Sequence, residues 1–272
     1  MLCKRPCPQR ASPSPETGDG LRYIETCGSE MNVAAQTHTG RVRERNEDSL
    51  LVDEELGLLI VADGMGGYRG GEIASALAVR TVHEYLLSSA GESGAGRDLG
   101  DVIREAGRRA GEAIRLRASG DARLGDMGTT LVLAVCRGPR IDLAHAGDSR
   151  ACLIQDGVMR RLTRDHSVVG EMVERGEITP QQARRHPLRN IITRSLGSHG
   201  DTGLDLQVVA WEPGSRLMLC SDGLTNMVED QEIEETVLRA GSDLSTACAM
   251  LVEAANRAGG KDNISVILAL QE

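Results

Sequence analysis

Leu58-Leu59-Ile60-Val61-Ala62-Asp63-Gly64 is a run of apolar residues that ends in a carboxylate and a glycine. A short apolar run bounded by Gly, Ser or Asn reads as a buried strand, so the acid would stand at a strand end where a packed core holds it rigidly. The pattern recurs in Ala144-His145-Ala146-Gly147-Asp148-Ser149 and in Leu217-Met218-Leu219-Cys220-Ser221-Asp222-Gly223. It appears again, in reverse, where Gly259-Gly260-Lys261-Asp262-Asn263 leads into Ile264-Ser265-Val266-Ile267. Asp-Gly and Asp-Ser are also ordinary turn signals, and any one site read alone divides evenly between turn chemistry and function. Four together, each beside a β-like run, point to carboxylates that converge if the strands lie in facing sheets. Anionic oxygen donors suit a hard cation, Mg²⁺ or Mn²⁺, better than zinc, and no Cys/His ligand spacing competes.

Outward from these runs, the pattern predicts strands near 49–53, 57–62, 129–137, 141–146, 150–155, 205–210, 215–220 and 263–270. Asp156-Gly157 between Ile154 and Val158 is a hairpin signal. Helices are expected over 71–87, 98–118, 230–240 and 243–258, with a Gly/Ser-rich loop at 88–97. Strands follow strands and helices follow helices, which favours an α+β fold of mainly antiparallel sheets covered by helices over a doubly wound sheet. Between Asp165 and Gly197 an insertion carries two short helical patterns, 168–176 and 180–185. Its Arg184, Arg185, Arg189 and Arg194 read either as receivers of an acidic peptide or as a solvated helix face.

Composition sets bounds. At 272 residues with 40% apolar content the chain can build one core, and the absence of Phe leaves that core to Leu, Val, Ile, Ala and Met. A net charge of −9 argues against nucleic-acid binding, which needs a cationic surface. Seven cysteines, at 3, 7, 27, 136, 152, 220 and 248, contain no CxxC pair and make poor material for a disulfide framework. They are expected to be reduced thiols, with the last four as small core residues. No run approaches the roughly 20 apolar residues of a membrane span, and no signal h-region is present, so a cytoplasmic location is expected. Residues 1–30 are rich in Pro, Ser, Gly and charge and read as a disordered N-terminal extension; the folded part is expected over 31–272.

A second constellation, Thr39-Gly40-Arg41-Val42-Arg43-Glu44-Arg45-Asn46-Glu47-Asp48-Ser49, sets cations beside an acidic pair. Arginine's planar fork binds phosphate oxygens, while Glu47 and Asp48 could hold water in the outer shell of a metal. By itself, alternating charge of this kind is more often a solvated strand or loop.

Arg43 with Asn46-Glu47-Asp48, Val61-Ala62-Asp63-Gly64-Met65-Gly66-Gly67, Gly128-Thr129-Thr130, Gly147-Asp148-Ser149-Arg150, Ser221-Asp222-Gly223-Leu224 and Asp262-Asn263-Ile264-Ser265 follow one another in this chain. In order and spacing they resemble the motifs of the metal-dependent serine/threonine protein phosphatases, the type 2C or PPM family, in its bacterial form. The resemblance runs from about Val33 to Leu270. It implies a four-layer α/β/β/α sandwich of two mainly antiparallel sheets flanked by helices, with the stretch near 165–197 as a small flap beside the site.

The resemblance also implies a function: hydrolysis of phosphoserine and phosphothreonine in proteins by metal-activated water at a binuclear site, opposing a bacterial Hanks-type serine/threonine kinase. Two Mn²⁺ or Mg²⁺ ions are implied, with Asp63 bridging them and the Gly64 carbonyl on one. Asp222 and Asp262 complete the first metal's protein ligands, Glu47 acts through water on the second, and Asp148 serves a third, weaker metal. Arg43 holds the substrate phosphate. Met65 departs from the histidine that eukaryotic members carry after Asp-Gly, and a thioether cannot donate a proton to the leaving group. His38, His145 and His166, near these motifs, are read as structural. No Cys-x5-Arg loop is present, which disfavours a cysteine phosphatase. The expected state is a monomer. The alternative is a catalytically inactive or narrowly dedicated regulatory relative, in a secretion apparatus or an anti-sigma pathway.

Overall fold

The computed structural model describes residues 31–67, 69–91, 98–198 and 203–272. The expected N-terminal extension, with Cys3, Cys7 and Cys27, lies outside the described residues, as do 92–97 of the expected loop.

Strands β1 (Met31–His38), β2 (Asp48–Asp53), β3 (Leu58–Met65), β4 (Gly128–Thr129), β5 (Leu131–Arg137), β6 (Arg140–Ala146), β7 (Arg150–Gln155), β8 (Val158–Arg161), β9 (Asp205–Ala210), β10 (Arg216–Cys220) and β11 (Ile264–Gln271) form two sheets. One runs β1-β11-β10-β7-β8. The other runs β2-β3-β5-β6-β9, with β4 also pairing with β3. Each of these pairings is antiparallel. Four longer helices flank them: α1 (Gly70–Gly91), α2 (Leu99–Ser119), α6 (Asp230–Ala240) and α7 (Leu244–Arg257). Three short ones, α3 (Val168–Glu174), α4 (Pro180–Arg184) and α5 (Asp222–Thr225), lie near the expected site.

The layering follows from the two-residue period of a strand, which sends successive side chains to opposite faces. In β3, Leu58, Ile60 and Ala62 pack with Ala74, Ala78 and Val82 of α1 and Ile103, Ala106 and Ile114 of α2. Leu59 and Val61 point the other way, into a layer shared with Val132, Leu143, Leu153, Leu219 and Ile267 from both sheets. On the far side, Met218, Cys220, Val266 and Leu268 pack with Ile233 and Val237 of α6 and Leu251 and Ala255 of α7. Three apolar layers thus separate four structural ones, in the order α/β/β/α. A strand buried on both faces needs an unbroken apolar run, as 58–62 has. Trp211 is fully buried and its indole Nε1 donates to the Gly138 carbonyl at 2.8 Å.

β1 and α5 escape the sequence pattern, as does the 3-10 turn Ala122–Leu124. β1 is an edge strand with mostly half-buried residues; Met31 and Val33 face the inter-sheet layer and Ala34 the α6/α7 side. Small and polar residues in Asn32-Val33-Ala34-Ala35-Gln36-Thr37 give no alternation strong enough to announce it. α5 is a single turn beyond the reach of periodicity. In addition, α1 continues to Gly91, past the expected end at 87.

The 165–197 stretch is fastened at both ends. Ser167 caps α3 through the Gly170 amide, Thr179 and Gln182 form a capping box around Pro180 at the start of α4, and Ser167 bridges to Ile192. Arg184 pairs with Glu229 at 2.7 Å and Asp230 at 2.8 Å, tying α4 to the start of α6.

Candidate active site

Strand alternation that builds the inter-sheet layer also builds the site. Two residues beyond Val61 on the same face is Asp63; two before Leu50 is Asp48, and the register sets Asp48 opposite Asp63. By the same step Val132 leads to Thr130, Ala151 to Ser149, Leu219 to Ser221 and Ile267 to Ser265. The oily layer therefore ends at one edge in a ring of carboxyl and hydroxyl groups. Ser221 and Ser265 each donate to Asp48 Oδ2, at 2.8 and 2.7 Å. The Asp63 amide donates to Thr130 Oγ1 at 2.9 Å, and Thr129 Oγ1 donates to the Asp63 carbonyl at 2.9 Å.

Loops bring the remaining acids to this edge. Asp222 opens α5 directly after β10. A Cβ at Gly223 would lie 1.9 Å from the Asn263 carbonyl, so only glycine lets the 222 and 263 segments approach this closely. The Asn263 side chain accepts from the Glu47 amide at 2.8 Å and donates to the Thr39 and Arg45 carbonyls at 2.9 and 2.8 Å, clamping the 39–47 loop against Asp262. Arg43 Nη2 donates to Asp262 Oδ2 at 2.8 Å. At Gly64 the backbone meets that of Gly71 and Glu47; a Cβ there would lie 2.1 Å from the Gly71 carbonyl oxygen.

Electrostatics registers the convergence. Burial, then the charges of Asp48, Asp222, Asp148 and Asp262, push the Asp63 carboxyl well above its ordinary range. Burial and Asp262 push Asp222 up to about 6, against a hydrogen bond to Asp63. Burial raises Asp48 to about 7 in spite of its two serine donors. Asp148 is raised by burial and by Asp222, and Glu47 by burial against the pull of Arg43. Asp48 Oδ1, Asp148 Oδ1 and Asp222 Oδ1 are buried without a hydrogen-bond partner.

Buried like charges with empty lone pairs are costly unless cations join them. The donors are all hard oxygens, so the residues present fit divalent Mg²⁺ or Mn²⁺. Every sequence-predicted site residue lies at this edge or on a loop against it.

His145, His166 and Asp205 also bring ligand atoms within 4.8 Å of one another, but their hydrogen bonds oppose a metal. His166 Nδ1 accepts from the Gly147 amide, which leaves the proton on Nε2, facing Asp205 at 3.2 Å. His145 Nε2 donates to the Arg164 carbonyl at 2.8 Å, and the two rings stack. Both histidines are structural, as expected, and His38 accepts from the Gly40 amide. The four buried cysteines are free thiols, and burial raises Cys136 and Cys248 to about 12.

The hydroxyl ring of Thr130, Ser149, Ser221 and Ser265 and the Asn263 clamp are the parts of the site that the motifs alone do not assign. Their signal was present as polar residues in phase with the inter-sheet face of each strand.

Comparison with known proteins agrees with this geometry. The family model for protein phosphatase 2C matches residues 36–268. The serine/threonine phosphatase stp of Listeria monocytogenes is 40% identical over 241 residues, covering 88% of this chain and 95% of that protein. The crystal structure of the Mycobacterium tuberculosis serine/threonine phosphatase PstP/Ppp superposes with a TM-score of 0.80 at 36% identity, covering 89% of this chain and 99% of that one. The catalytic domain of PstP in complex with two manganese ions gives 0.78 at 34% identity, covering 88% and 97%. With similarity spanning nearly all of the described fold, this chain belongs to the protein phosphatase 2C family.

Proposed function

We propose that this chain removes phosphate from phosphoserine and phosphothreonine in proteins, and that residues 31–272 form the phosphatase domain that does so. The observation that carries the reading is the cluster of acids at the inter-sheet edge, with three buried carboxylate oxygens that lack partners. Asp63 would be shared by two divalent cations, with the Gly64 carbonyl on one of them; Asp222 and Asp262 would complete the first ion's protein ligands, Glu47 would act through water on the second, and Asp148 would serve a third, weaker ion. Such ions, when bound, lower the pKa of water and neutralise charge on the phosphoryl group. Arg43, half-exposed and paired with Asp262, would take phosphate oxygens in a charge-assisted fork. Asp48, Ser221 and Ser265 keep the acids in place, and the packed layer beneath keeps them from spreading.

An inactive binding protein would have no need of this many buried like charges, which cost stability without cations. Four free buried thiols suit a reducing, cytoplasmic compartment. A Hanks-type kinase as the opposing activity and a monomeric state belong to the same reading. Phosphate release from a phosphothreonine peptide, measured with Mn²⁺ or Mg²⁺ and with EDTA, tests it: turnover is expected only with metal. Equal turnover by metal-stripped protein in EDTA would sink the reading.

A further inference from the structure

Next to the acid cluster a groove of about 310 Å³ runs between the 165–197 stretch and the loop before β11. Asp222 and Asp262 lie along it, with Asn190, Asn226 and Met227, and three cations line it: Arg184, Arg189 and Lys261. Their pairing differs. Arg184 is held by Glu229 and Asp230. Elsewhere on the same stretch Arg175 pairs with Glu171 and Glu177, and Arg194 with Asp205. Arg189 and Lys261, both exposed, have no ion pair among the described residues.

Both are nevertheless held in place by backbone. Arg189 sits in a turn in which its amide donates to the His186 carbonyl at 3.2 Å and the Ile191 amide to Leu188 at 3.1 Å; its guanidinium Nη1 reaches the same His186 carbonyl at 3.5 Å, a neutral contact that leaves its charge without a counter-ion. That turn is fixed between the anchored α4 and the Ser167–Ile192 bridge. Lys261 follows Gly260, whose carbonyl accepts from the Arg41 and Val42 amides at 2.7 and 3.2 Å.

Resting on the phosphatase reading, we propose that Arg189 and Lys261 are specificity determinants that bind a second anionic group, a carboxylate or another phosphate, on residues flanking the phosphoserine or phosphothreonine. The chain carries a net charge of −9, so acidic substrates meet overall repulsion. Screening confines that repulsion to about 8 Å at physiological salt, so at the groove an anionic side group meets Arg189 and Lys261 directly rather than the net charge of the chain. A neutral-flanked peptide leaves both cations hydrated and draws nothing from them.

The test uses the full chain with Mn²⁺ and matched phosphothreonine peptides whose neighbouring positions carry Ala, Glu or a second phosphothreonine. We expect kcat/KM to favour the Glu or doubly phosphorylated peptide over the Ala peptide by about five- to tenfold, the scale of two exposed charge contacts. Whichever series is faster names the source of the anion. In the Arg189→Gln/Lys261→Gln double variant the ratio should fall below about twofold, with a smaller fall in each single variant. Arg185→Gln, an exposed arginine of the same stretch outside the groove, should keep the wild-type ratio. A wild-type ratio near one, with metal-dependent turnover intact, would overturn this inference and leave the phosphatase reading standing. A preference that survives in the double variant, or that Arg185→Gln removes equally, would overturn it as well. Failure to hydrolyse any phosphopeptide would overturn both readings.

Discussion

Asp63 and Asp222 are buried together among further carboxylates, an arrangement that is useful only if cations neutralise it. Asp63→Asn and Asp222→Asn keep the volume of each side chain and remove its charge. Turnover of p-nitrophenyl phosphate is expected to fall on the order of a thousandfold in each, the scale of several kcal/mol of lost charge stabilisation. Circular dichroism should stay native, and near-wild-type rates in either variant would remove that residue from the metal site. Arg43 has a different role, because a guanidinium cannot ligate a metal. Its side chain is half exposed, so its contribution lies near the low end of charge-assisted hydrogen bonds, roughly a tenfold effect. Arg43→Ala should raise KM and the inhibition constant for inorganic phosphate by that factor while changing kcat less. Unaltered KM and phosphate inhibition would place Arg43 outside the site.

Asp165 is the element-scale counterpart, since one carboxylate joins β7, β8 and the beginning of the 165–197 stretch. Arg150 donates to both of its oxygens, at 3.1 and 2.8 Å, and Arg161 pairs with it as well. Burial alone would raise the Asp165 carboxyl, but the two guanidinium groups hold it below the usual carboxylate range. A folded-state value that is depressed contributes stability present above the unfolded value, near 4, and lost as pH falls through the folded one. Asp165→Asn leaves Arg150 buried without its partner, which costs about 3–5 kcal/mol. Urea melts at pH 7 should show that loss, and the gap between variant and wild type should narrow as pH drops below 4. A constant gap would mean that the carboxylate's charge is not what stabilises the junction.

The same scale explains what could be read from the sequence. Asp63, Asp148, Asp222 and Asp262 were legible because an acid beside an apolar run is a local pattern. The strand and helix assignments were legible because their periods differ, whereas the layer order was implied by the family resemblance of the motifs. The contact of Ser221 and Ser265 with Asp48 was not, because it depends on register among strands and the two serines lie 173 and 217 residues from Asp48 in sequence. β1 was not, because an edge strand buries too little apolar surface to need a recognisable run.

For the whole molecule, the acid cluster sets function against stability. A ligand that binds only the folded state stabilises it by about 2.7 kcal/mol at a hundredfold excess over its dissociation constant. In a protein of this size each kcal/mol moves Tm by about 2–4 °C. Mn²⁺ at that excess should therefore raise Tm by about 5–10 °C over the same protein in EDTA. Asp222→Asn should invert the ordering. Without metal it relieves repulsion within the cluster and leaves Asp262 and Asp63 with a neutral neighbour, so its Tm in EDTA should equal or exceed that of the wild type. With Mn²⁺ it should gain little, because a charged ligand is gone. Thermal melts of both proteins across a Mn²⁺ titration decide the matter. Identical wild-type melts with and without metal, or a full Mn²⁺ shift retained by Asp222→Asn, would show that the buried carboxylates are neutralised by something other than a bound cation.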